Sequence, residues 1–293
     1  MKAFGNYHPF VLLTYFLSVL AVAMFVTNPI LQIIALWGGS LFSLMLMKKS
    51  KILSNYGFYI ALFIMVSLTN PLFSHNGVTP LFFLNGNPVT LEAVIYGIFI
   101  GVTVIAVMLW CRCYSEIMTS DKFIYLFGKA IPKLSLVLSM ALRFIPLFKR
   151  QMKRVSRAQK AMGLYSSKSY SDRLKCAIRV FHAMIAWSLE NSIETSSSMK
   201  ARGYGIKGRT NFSVFRFYKE DLILIVINLL LLTFTLIGTA LKITEFYYYP
   251  EITPLNLSPM AILIYSAFAL LSFLPFVIEL GGNLVWKYYV SKI

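Results

Sequence analysis

The chain has 293 residues, of which 58% are hydrophobic and only 13% charged, with a formal net charge of +17. A soluble domain carries about a quarter charged residues, so an ordinary water-soluble fold is excluded. The charges that exist are unevenly spread, and the gaps between them are the first structural signal.

No Lys, Arg, Asp or Glu occurs in the 45 positions between Lys2 and Lys48. A helix needs roughly 20 mainly apolar residues to cross a hydrocarbon core of about 30 Å. In lipid a helix satisfies its own backbone, so such runs read as spans. This run is too long for one span and breaks at the turn signal Thr27-Asn28-Pro29. It predicts helices over residues 10–26 and 30–47. No cleavable signal peptide is expected, because one apolar run leads straight into the next. Lys48, Lys49 and Lys51 predict a short basic loop, and a third span follows over 56–69. Residues 70–90 carry Asn70, Pro71, Asn76, Gly77, Pro80, Asn85, Gly86, Asn87 and Pro88. That density of helix breakers predicts an outer loop that re-enters toward the membrane, where its backbone must be buried in protein or line a cavity. A fourth span is expected over 91–111, a fifth over 222–241 and a sixth over 260–278.

The positive-inside rule sets the orientation. With the N-terminus in the cytoplasm, the basic loop, residues 112–220, and Lys287 and Lys292 all fall inside. The 70–90 loop, which has no Lys or Arg, falls outside, as does 242–258. The expected fold class is an all-α polytopic membrane protein with both termini cytoplasmic. It has about six transmembrane helices plus a cytoplasmic pair of long amphipathic helices. The regions are 1–111, with four spans and the re-entrant loop, then 112–220, then 221–293 with two spans.

Residues 112–220 hold 21 Lys and Arg against six Asp and Glu, a net +15. Their apolar runs, 134–142 and 180–189, are too short to span and suit interfacial helices. Ile145, Phe148, Met152 and Val155 recur at helical spacing. Lys149, Arg150, Lys153, Arg154, Arg157 and Lys160 occupy the other face, and Pro146 predicts a kink. A second helix is expected from an N-cap near Ser171-Asp172, with Leu174, Ile178, Phe181, Ile185 and Leu189 as its stripe. The first helix ends Ala161-Met162-Gly163-Leu164 and the second ends Ala201-Arg202-Gly203-Tyr204-Gly205. Glycine just past a helix end accepts a left-handed conformation. Two capped helices with a solvated basic face account for the same residues without any further role.

Several chemistries lack their residues. There is no G-x-x-x-x-G-K-[ST] phosphate loop, so the chain alone should not hydrolyse nucleotides. The spans contain no chain of carboxylates or histidines of the kind that ion-driven transporters use. Glu92 and Glu279 stand at span ends, where water is within reach, and Asn228 predicts a helix–helix hydrogen bond. Glu190 and Glu194 lie one turn apart and read as an exposed or partner-facing pair rather than as catalysts. His8, His75 and His182 have no companion nucleophile. Cys111, Cys113 and Cys176 read as reduced cytoplasmic thiols, and no metal site is expected. The basic face attracts anionic lipid headgroups; nucleic acid is not an expected partner. A lipid-binding or lipid-modifying enzyme using the basic face is an alternative, and a self-sufficient secondary transporter a weaker one.

Several stretches together resemble a known family. They are Asn70-Pro71-Leu72-Phe73-Ser74-His75-Asn76-Gly77 through Thr90-Leu91-Glu92, Met118-Thr119-Ser120-Asp121, Met140-Ala141-Leu142-Arg143-Phe144-Ile145-Pro146-Leu147, Ala158-Gln159, and Met199-Lys200-Ala201-Arg202-Gly203-Tyr204-Gly205. They resemble the transmembrane T component (EcfT/CbiQ type) of energy-coupling factor (ECF) ABC transporters, over roughly residues 13–276. The resemblance implies a non-catalytic coupling subunit of a vitamin or metal-ion importer in a bacterial inner membrane. Its implied partners are two cytoplasmic ABC ATPase subunits, which hold the ATP and Mg, and a small membrane substrate-binding S component. This chain itself would bind no cofactor. The implied ATPase-docking motifs are Ala161-Met162-Gly163 and Ala201-Arg202-Gly203. The stripes Ile145, Phe148, Met152, Val155, Ile178, Phe181 and Ile185 would face the S component. The sequence departs from the family at Met162, where Arg is common, so the first motif lacks a guanidinium.

Overall fold

The computed structural model describes residues 3–46, 49–74, 76–84, 87–163, 170–206 and 215–291. Of the residues singled out above, Lys2, Lys48, His75, Asn85, Gly86, Leu164 and Lys292 lie outside these ranges. Among the described residues the chain forms nine α-helices and one short hairpin. It divides into two compact units, Met1–Phe123 with Phe215–Ile293, and Ile124–Val214.

In the first unit, α1 (Pro9–Phe25) starts where the His8 ring nitrogen Nδ1 accepts from the Phe10 N–H at 3.2 Å. It ends at the Thr27-Asn28-Pro29 turn. Asn28 is buried there, and its side-chain oxygen accepts from the Ile30 N–H at 2.9 Å, opening α2 (Pro29–Leu46). The Asn28 amide also donates to the Thr244 carbonyl and the Tyr265 hydroxyl at 3.0 and 3.1 Å. One residue thus starts α2 and ties the turn to the C-terminal part of the unit.

α3 (Lys49–Phe73) begins inside the expected basic loop and continues through Pro71. Lysine is a good helix former, so the loss of hydropathy at Lys49 and Lys51 marks the edge of the apolar stretch and not the end of the helix. The breaker-rich segment that follows is a hairpin, β1 (Pro80–Leu84) against β2 (Asn87–Thr90), antiparallel with Phe82 opposite Val89. Pairing gives these strands the backbone partners that a re-entrant loop would have had to find elsewhere.

α4 (Leu91–Ile117) is capped by Thr90, whose hydroxyl accepts from the Ala93 N–H at 3.3 Å. It runs six residues beyond the expected end, because Arg112 and Glu116 are as compatible with a helix as the apolar residues before them. Gly97 and Gly101 allow α3 to approach α4 closely, since a Cβ on Gly97 would lie 2.6 Å from the Ser67 carbonyl oxygen. α5 (Ser120–Ala130) follows, a helix the hydropathy pattern did not announce.

α8 (Lys219–Ala240) and α9 (Pro259–Val290) complete the first unit. α2 packs on α4 and α9, and α8 on α1 and α9. Five of these helices are long and apolar enough to cross a membrane, and α1, with 17 residues, is only slightly shorter. The expected all-α polytopic fold is therefore the observed one. The expected Asn228 bond is also present: its amide donates to the Ser18 hydroxyl of α1 at 3.2 Å.

The centre of this unit is aromatic. Phe4, Tyr15, Phe16, Phe42 and Trp110 are fully buried, and Phe4 sits edge-on to Tyr15, Phe16 and Phe42 at 5.3–6.3 Å. The Trp110 indole N–H reaches the Ala35 carbonyl at 3.0 Å.

The two span-end carboxylates do not reach water. Glu92 is buried and accepts from the Thr79 hydroxyl at 2.8 Å. Glu279 is buried and accepts from the Phe4 N–H at 3.0 Å. Buried carboxylates persist where donors surround them, and here a loop and the N-terminal segment supply those donors.

Candidate functional site

The second unit is built on two long helices, α6 (Pro132–Ala161) and α7 (Tyr170–Ala201). α6 stays helical through Pro146. α7 starts at Tyr170, so Ser171 and Asp172 lie in its first turn and not at its N-cap. The early part of α6 faces the late part of α7 and the reverse, so the pair is antiparallel. Near the middle of both, Phe148 and Trp187 meet edge to face with ring centroids 5.3 Å apart.

Antiparallel packing separates the two glycine motifs, placing the C-terminal end of each helix at an opposite end of the pair. At the end of α7, Gly203 has φ +80° and donates to the Lys200 carbonyl at 3.0 Å. The Tyr204 N–H donates to the Met199 carbonyl at 3.0 Å. These are the two bonds of a complete Schellman cap. Arg202 is the residue just before the left-handed turn, and its side chain is exposed. A cation at a helix C-terminus is also favoured by the helix dipole. At the end of α6, Gly163 has φ +76° and donates to the Lys160 carbonyl at 3.0 Å. Met162 occupies the position equivalent to Arg202 and is 64% exposed. As far as the glycine, the two ends share one backbone design and carry different side chains.

The apolar stripes meet. Ile145, Phe148 and Met152 of α6 line a single groove of about 1040 Å³ together with Phe181 and Ile185 of α7. Val155 and Ile178 are not among its lining residues. Ile145, Met152, Phe181 and Ile185 are all exposed. Lys149, Arg150, Lys153, Arg154, Arg157 and Lys160 are exposed on α6 as well. An apolar groove is thus flanked by a basic face on one helix.

Over residues 8–214 the chain matches the CbiQ family, described as a cobalt transport protein. The chain belongs to the CbiQ family. The matched range contains the hairpin, α4 to α7 and both glycine motifs, so the resemblance carried by those stretches is borne out.

Relatives of this CbiQ-family chain include the energy-coupling factor transporter transmembrane protein EcfT of Listeria innocua. It is 35% identical over 98 residues, covering 33% of this chain and 37% of that protein. The EcfT protein of Lactobacillus helveticus is 32% identical over 114 residues, covering 38% and 41%. That of Bacillus subtilis is 30% identical over 84 residues, covering 28% and 32%. The aligned segments thus span about a third to two fifths of the curated relatives they match.

A second opening between the same helices was not singled out from the sequence. Leu136, Ser139, Met140 and Arg143 of α6 face Glu194, Thr195, Ser198, Met199 and Arg202 of α7 across a cleft of about 530 Å³. Both sets recur at helical spacing, which was the available signal. Hydropathy passes over it because most of these side chains are polar. Glu190 and Glu194 are both exposed, and only Glu194 lines the cleft.

Proposed function

We propose that this CbiQ-family chain is the non-catalytic coupling subunit of an ECF-type ABC importer for a vitamin or a metal ion. Two cytoplasmic ATPase subunits, which hold the ATP and Mg, dock at the ends of α6 and α7. A small membrane S component, which captures the substrate, lies on the apolar groove between them. Motion driven by ATP at the helix ends then passes along both helices to the groove. In this reading both termini are cytoplasmic, the membrane is a bacterial inner membrane, and the basic face of α6 rests on anionic headgroups.

The carrying observation is the antiparallel pair. Each glycine-capped end presents an exposed side chain just before its glycine, Arg202 or Met162, and the two ends stand apart with a shared groove between them. Two separated ends suit two docked subunits. Arg202 offers a permanently charged planar fork for partner carboxylates, and Met162 offers an adaptable apolar contact.

Arg202→Glu in reconstituted vesicles is expected to lower ATP-dependent uptake by at least tenfold, roughly the effect of reversing one interfacial charge. Uptake at the unmodified rate would refute the assignment of docking to this end.

A further inference from the structure

The end of α7 holds more charge than its motif requires. Arg143, from the first half of α6, lines the same cleft as Arg202, with Glu194 beside them. Among the described residues no ion pair joins Glu194 to either arginine, although the three share one opening. Arg143 instead lies over the Phe144 ring, 5.6 Å from its centroid. Ser139, Thr195 and Ser198 supply hydroxyls on both walls, so this part of the helix interface is polar, whereas Phe148 and Trp187 meet ring to ring nearer the middle. Two guanidinia against one carboxylate leave the cleft with one excess positive charge.

We propose that Arg143 is a second docking residue, which together with Arg202 grips one acidic side chain of the ATPase bound at this end. A carboxylate between two guanidinia receives charge-assisted hydrogen bonds from both. Glu194 sets the net charge to match a single incoming carboxylate and repels a second. The α7 end is therefore a charged receptor, while the α6 end, with Met162, docks its partner mainly through apolar contact. This inference rests on the docking role proposed for Arg202 and adds to it both a residue and a chemistry.

The test uses the full chain purified in detergent with its two coexpressed ATPase subunits and measures their dissociation constant at low and high salt. Arg143→Ala is expected to weaken binding about tenfold, and the double variant with Arg202→Ala is expected to lose less than the product of the single losses. Glu194→Gln is expected to tighten binding and steepen its salt dependence. If Arg143→Ala binds normally while Arg202→Ala does not, the two-arginine receptor is wrong and docking at Arg202 stands. If neither substitution alters binding, the docking reading fails with it. Should Arg143→Ala lower the melting temperature, Glu194→Gln decides, because that side chain is exposed. Unchanged or weaker binding by Glu194→Gln overturns the proposal.

Discussion

Arg202 and Met162 occupy the same backbone position in two caps of one design, so the difference between the helix ends lies in the side chains. The glycines fix that position. An alanine at Gly163, φ +76°, or at Gly203, φ +80°, would be strained by about 1 kcal/mol. Among the described residues a Cβ on Gly163 would meet nothing within 4 Å, whereas one on Gly203 would lie 3.1 Å from the Ile206 Cδ1. Gly203→Ala should therefore loosen its helix end at least as much as Gly163→Ala. Faster amide hydrogen exchange at positions 203 and 204 would report it, and greater loosening in Gly163→Ala would contradict the geometry. The caps were legible in the sequence, because glycine after an amphipathic helix has a local cause. The burial of Glu92 and Glu279 was not. Their partners, Thr79 and Phe4, are 13 and 275 positions away, and no local pattern links them.

At the scale of elements, helical spacing disclosed each stripe but not that the stripes converge. Five of the seven stripe residues share one groove; Val155 and Ile178 fall outside it. Which residues of a stripe meet the neighbouring helix depends on the crossing geometry, which sequence spacing does not contain. Phe181, exposed in the groove, is the position at which the two proposed docking functions can be tested apart. Phe181→Asp should reduce copurification of the S component about tenfold or more, as burying an unpaired carboxylate would require, and leave the ATPases bound. Equal loss of all partners would mean that the groove is not a separate surface. The hairpin shows a related limit. Breakers at Gly77, Pro80 and Pro88 were legible as an outer loop, but the register of Phe82 on Val89 depends on pairing between strands.

For the whole molecule, the N-terminal segment is the part that sequence patterning left unread. It is short and has no periodicity, yet Phe4 is completely buried in the aromatic centre. The Lys122 ammonium group donates to the Gly5 carbonyl at 2.6 Å, and Asp221 accepts from the His8 N–H at 2.7 Å. Phe4→Ala should destabilise the first unit by about 3–5 kcal/mol. Thermal unfolding in detergent would show this as a lowered midpoint, and an unchanged midpoint would show that the ring is dispensable. The Phe4–Glu279 hydrogen bond also orders events in time. Synthesis proceeds at about 5–20 residues per second, so the carboxylate that receives the Phe4 amide leaves the ribosome roughly 15–55 s after it. Until then the Phe4 amide lacks this acceptor. The tie between the N-terminal segment and α9 therefore closes only after Glu279 has been translated, and a chain cut short before Glu279 lacks it.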